Sequence, residues 1–125
     1  MSFHTLGLSE EILKSIKEIG YETPSEIQQQ AIPHVLMGRD ILGCAQTGTG
    51  KTASFMLPLV EILITGQSKS RMPRSLILAP TRELAMQVSE DFNIFNKYLK
   101  LQMALLIGGV SFSEQDGKLA KGVDV

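Results

Sequence analysis

Eight residues, Ala45-Gln46-Thr47-Gly48-Thr49-Gly50-Lys51-Thr52, join an apolar run at 41–45 to a helical pattern that begins near Gly50. Few folds accept such a join. A glycine-rich turn running from a strand into a helix N-terminus gathers successive backbone N–H groups around one point, and glycine lets the chain approach an anion closely. The pattern therefore reads as a phosphate cradle, with Lys51 reaching the β- and γ-phosphates and the Thr52 hydroxyl holding Mg²⁺. Position 45 departs from the general pattern, which has glycine there. The plain alternative is an ordinary strand-to-helix turn.

The surrounding pattern is helix, helix, then alternating strands and helices. Ser9 reads as an N-cap followed by Glu10 and Glu11, and Ile12, Leu13, Ile16 and Ile19 form a helical stripe stopped by Gly20. Thr23-Pro24-Ser25-Glu26 reads as a capping box opening a second helix, which Pro33 should break or kink. Strands are expected at 41–45, 76–79 and 101–107, with another opening at 123–125. Helices are expected at 50–64, 82–99 and, shorter, 113–121. Residues 65–75 read as a polar surface loop. Leu84, Val88, Phe92, Phe95 and Leu99 mark the buried face of the helix at 82–99. Alternation of this kind predicts an α/β fold, a parallel sheet with helices on both faces and ligands beyond the strands' carboxyl ends. The phosphate loop, Pro80-Thr81-Arg82 and Gly108-Gly109 all fall at those ends.

Composition narrows the partners only by exclusion. The 125 residues carry a net charge of −1, so any nucleic acid must be gripped by local groups rather than a basic field. Cys44 is the single cysteine; internal disulfides are excluded, a reducing cytosol is the default, and a buried, inert thiol is expected. The N-terminus lacks the pattern of a signal peptide, and the greasiest stretch, 55–64, contains Pro58 and Glu61 and is too short to span a bilayer. No membrane partner is expected.

Together these segments resemble the DEAD-box family of ATP-dependent RNA helicases, bacterial type, from Phe3 to the last residue. Gly20-Tyr21-Glu22-Thr23-Pro24-Ser25-Glu26-Ile27-Gln28 is similar to the family's adenine-reading Q motif, and the octet at 45–52 matches its phosphate loop, which itself begins with alanine. Pro80-Thr81-Arg82-Glu83-Leu84 resembles a motif that touches RNA backbone, and Gly108-Gly109 a second RNA-side element. The resemblance implies a RecA-like domain in a cytoplasmic enzyme, with residues 1–38 a Q-motif helical segment and 39–125 part of the nucleotide-binding unit. It implies ATP and Mg²⁺ as cofactors and RNA, read by its backbone, as partner.

On this reading Gln28 pairs with adenine, which its amide fits and guanine does not, while Tyr21 stacks on the base and Phe3 is the upstream aromatic. Blander roles exist for each: an exposed helical glutamine, a core-edge aromatic, and a terminal residue docked on the helix from Ser9. Pro-Thr-Arg by itself is a capped helix start, and the paired glycines by themselves a turn. Hydrolysis also needs an acidic element after an apolar strand. No Asp-Glu-Ala-Asp run occurs here; the adjacent acid pairs are Glu10-Glu11 and Glu90-Asp91, both on helices. The expectation is a nucleotide-binding piece of a helicase, inactive alone, with apolar sheet edges prone to self-association. Two other readings share the loop: a different P-loop NTPase, and a non-catalytic adenine-nucleotide or RNA-binding module.

Overall fold

A computed structural model describes residues 1–66 and 72–125. The part of the expected surface loop at 67–71 lies outside the described residues. A 3-10 turn at Phe3–Thr5 precedes five α-helices: α1 Glu10–Glu18, α2 Glu26–Leu36, α3 Lys51–Thr65, α4 Arg82–Phe95 and α5 Phe112–Ala120.

α1, α2 and α4 begin where the local chemistry favours it. Ser9 is the N-cap of α1, with Glu10 and Glu11 in its first turn, where the helix dipole favours negative charge. Thr81 caps α4, its Oγ1 accepting the Leu84 N–H at 3.1 Å. The box on α2 is displaced from the sequence expectation. Ser25 is the N-cap, and the Gln28 carbonyl Oε1 accepts the Ser25 N–H at 2.9 Å. Pro24 thus precedes the cap instead of opening the helix. Pro33 does not end α2 either; the helix runs through it to Leu36. An interior proline costs about 3 kcal/mol of helix stability, so α2 is held by packing along α3.

α3 is the spine of the core. Ala53, Met56, Leu57, Val60 and Leu63 are buried at three- and four-residue spacing. Against them pack Phe3, Leu6, Leu8, Ile12, Leu13 and Ile16 from the N-terminal region, Ile32 from α2, and Val88, Phe92 and Phe95 from α4. Each such side chain contributes about 1.5–3 kcal/mol by leaving water. Glu61 of α3 also accepts the Ser9 N–H at 2.8 Å, which fixes the start of α1 to the spine. At its far end, Arg74 donates to the Leu63 carbonyl at 2.9 Å and pairs with Asp124 at 2.9 Å.

The expected strands are where sequence and structure part. No described residue lies in a strand; 41–45, 76–79, 101–107 and 123–125 have no regular secondary structure. Leu42 is 93% exposed and Leu78 83%, although both stand in apolar runs that a sheet would bury. A few backbone bonds outline an incipient pairing. Arg74 and Ser75 N–H groups donate to the Asp124 carbonyl, Asp124 and Val125 N–H groups to the Gln102 carbonyl, and the Ala104 N–H to the Val125 carbonyl. Among the described residues, backbone partners for 41–45 are absent. A strand needs a neighbouring backbone along its length, and these few bonds, accepted at Gln102, Asp124 and Val125, pair too little chain to build a ladder. For the same reason Cys44, expected to be buried, is exposed. Leu84, expected on the covered face of α4, is 41% exposed.

Candidate functional site

The loop at 45–52 has the geometry of an anion cradle. Gly48 and Gly50 take left-handed backbone angles, φ +83° and +79°, turning the chain sharply into α3. The Thr49 hydroxyl donates to the Gln46 carbonyl at 2.6 Å and holds the turn closed. Among the described residues, no backbone N–H from Thr47 to Thr52 donates to a protein acceptor. These unpaired donors sit at the mouth of a 15-residue helix whose N-cap, Gly50, supplies no side chain. The dipole and free amides there together favour a negative ligand. Lys51 is exposed, with no ion-pair partner among the described residues, and the Thr52 hydroxyl makes no hydrogen bond to them.

Gln28 ties the helical segment to this loop. It is only 3% exposed, and its Nε2 donates to the Gly50 carbonyl at 3.2 Å across 22 residues of sequence. A Cβ on Gly50 would come within 2.3 Å of that Nε2, so both the left-handed φ and the close approach require glycine there. With one bond to Ser25 N–H and one to Gly50, the carboxamide keeps one N–H and one lone pair. The Ser25 Oγ lies buried at the mouth of the α2 capping box, 3.5 Å from where a Gly50 Cβ would stand.

Tyr21 is 41% exposed beside a cleft lined also by Phe3, Gly20 and Glu22. Phe3 lies behind it at a centroid distance of 6.4 Å and an interplanar angle of 19°, buried in the core. The structure therefore leaves one face of Tyr21 for a ligand and leaves little of Phe3.

A second cluster forms at the start of α4. Arg82 is exposed and has no ion-pair partner among the described residues; Gly109 sits against it. A Cβ on Gly109, whose φ is +83°, would lie 2.6 Å from an Arg82 Nη. Thr81 directs its hydroxyl to the helix cap, and Pro80 precedes it. The two sequence elements are thus neighbours in space. Gln115, which sequence reasoning passed over, hydrogen-bonds both flanks of the 108–109 turn. A glutamine on an exposed helix carries no sequence signal. The Ser25-x-x-Gln28 pattern did carry one.

Comparison with known proteins gives a consistent answer. The family model for DEAD/DEAH box helicases matches residues 25–125. The ATP-dependent RNA helicase DeaD of Haemophilus influenzae is 45% identical over 126 residues, covering 100% of this chain and 20% of the relative. DeaD of Escherichia coli is 45% identical over 125 residues, covering 99% of this chain and 19% of its own length. Among solved structures, the RNA-helicase Prp28 from Chaetomium thermophilum bound to ADP aligns with a TM-score of 0.88 at 39% identity, over 97% of this chain and 30% of that one. The chain spans about a fifth of the length of the curated relatives it matches.

Proposed function

The chain belongs to the DEAD/DEAH box helicase family, and from that premise we propose that it supplies the ATP-binding part of an ATP-dependent RNA helicase. One observation carries the reading: the unpaired amides of 47–52 open a helix while Gln28, the candidate adenine reader, is bonded to the same loop at Gly50. In this arrangement the free N–H and lone pair of Gln28 meet the adenine edge and Tyr21 stacks on its face, with Phe3 behind it. Ala45, Gln46 and the amides of Thr47 to Thr52 wrap the phosphates, and Lys51 neutralises the β/γ end.

Mg²⁺ belongs to the same reading. The fit rests on Thr52, whose hydroxyl has no hydrogen-bond partner among the described residues and which stands at the second position of α3. Held by that hydroxyl and by phosphate oxygens, the ion would neutralise charge developing on the phosphates. Pro80, Thr81, Arg82, Gly108 and Gly109 form the edge that meets RNA, through phosphate and sugar rather than bases. The same reading takes residues 1–38 as the adenine-side segment and 39–125 as an incomplete RecA-like unit built on a parallel sheet with helices on both faces; the likeness to the helicase Prp28 supports the RecA-like assignment. A cytoplasmic location goes with the reading; no described helix is long and apolar enough to cross a membrane.

Binding of a fluorescent ADP to the chain tests the assignment. Lys51→Ala and Gln28→Ala should each weaken it, and GTP should compete less well than ATP. Undiminished binding by Lys51→Ala would overturn the phosphate site; equal competition by GTP would remove Gln28 from base recognition and favour a different NTPase.

A further inference from the structure

The turn at 108–109 is not shaped by its glycines alone. Gln115, one turn into α5, has its carbonyl Oε1 accepting the Ile107 N–H at 2.9 Å and its Nε2 donating to the Val110 carbonyl at 3.3 Å. One side chain thus holds the residue before the glycine pair and the residue after it. The amide orientation follows from its partners, because an N–H requires the oxygen and a C=O requires the nitrogen. Ser111 N-caps α5, and Gln115 N–H donates to the Ser111 carbonyl at 3.3 Å, so the helix itself fixes where that side chain starts.

α5 has little other reason to sit where it does. None of its residues is fully buried; Gln115 and Leu119 are its only partly covered positions, and Phe112 is 81% exposed. The glutamine is therefore a main tether of the turn. Between those two anchor points, Gly109 lies against the Arg82 guanidinium. From this geometry we infer that Gln115 is a positioning residue: it pins the 108–109 turn against Arg82, so that the turn's backbone and the guanidinium form one cradle for a nucleic-acid phosphate. The inference rests on the reading of 80–82 and 108–109 as the RNA edge. It adds the residue that holds the edge together.

The test compares the affinity of the ADP-loaded chain for a fluorescein-labelled oligo-uridine, its salt dependence, and ADP affinity. Gln115→Met keeps the side-chain length and adds no charge but removes both bonds. It should weaken oligo-uridine binding about fivefold, the scale of one net hydrogen bond, and flatten the salt dependence while leaving ADP affinity unchanged. Gly109→Ala leaves Gln115 intact but strains the turn and crowds Arg82, and it should weaken RNA binding in the same way. Arg82→Ala should weaken it more, and Gln115→Met on top of Arg82→Ala should add little, because both act through one cradle.

Unchanged RNA affinity in Gln115→Met, with Arg82→Ala still impaired, overturns the role of Gln115 and leaves the RNA edge standing. Unchanged affinity in Arg82→Ala overturns the edge itself and with it anything to position. Multiplying effects in the double variant, or equal losses of RNA and ADP binding in Gln115→Met, also overturn the inference. The first shows independent action and the second a general loss of structure.

Discussion

The helices and the apolar runs between them answer the same folding problem differently. α1, α2 and α3 satisfy their backbones internally and bury Ile12, Ile32, Met56 and Leu57 completely. α4 is built the same way, but the runs at 41–45, 76–79 and 101–107 leave Leu42, Leu76, Leu78 and Leu106 in solvent. A helix needs only its own residues four positions away, whereas a strand needs another strand. Among the described residues, the apolar leucines that a sheet would cover are therefore the least protected from water, and the helical spine is the best protected.

The sharpest break of this contrast is Leu57→Ala in α3, which should cost about 2–5 kcal/mol in urea unfolding. A loss below about 1 kcal/mol would show that the spine is no better packed than the exposed runs. Within the site, Lys51→Ala should reduce ADP affinity about 10- to 100-fold, the scale of a charge-assisted hydrogen bond, with little change in melting. Gln28→Ala should do both: it weakens ADP binding and lowers stability by about 1–3 kcal/mol, since Ser25 N–H and the Gly50 carbonyl lose their partner. Equal stability of the two variants would mean that Gln28 does not brace the loop.

On the exposed side, Leu78→Ser should change unfolding free energy by no more than about 0.5 kcal/mol while reducing self-association in sedimentation. A large destabilisation would place Leu78 in a covered core after all. The smallest effect is electrostatic. Glu18, which accepts from Lys97 at 2.7 Å and from the Tyr98 hydroxyl, has its carboxyl pulled below the usual range by those hydrogen bonds. Its contribution is present above the unfolded carboxylate range and fades as pH falls through the lowered value. The melting difference between the wild-type chain and Glu18→Gln should therefore be small at neutral pH and vanish in acid; a difference that grows in acid refutes the assignment.

The particular residues show why some features were legible in advance. Ser9, Gly20 and Thr81 mark helix ends by chemistry that acts within one turn, and the octet at 45–52 carries its own turn geometry in its glycines. Pro33 does not end α2, because its local cost is outweighed by packing along α3, which no local rule contains. The capping box moved from Thr23 to Ser25 because Gln28 reaches back to the Ser25 N–H, leaving Pro24 outside the helix. Cys44 ends an apolar run and Leu84 stands on a helical stripe, but burial depends on what packs opposite.

Sequence alone determined the order of helices, the glycine-rich entry into α3, and which groups are proposed to meet a triphosphate, because each depends on neighbours a few residues away. Tertiary structure decided the rest: Gln28 against Gly50, Arg82 against Gly109, Phe3 behind Tyr21, and which leucines reach water. Those pairings join residues distant in the chain, and only the tertiary arrangement brings them together, as the packing of α2 along α3 does for Gln28 and Gly50.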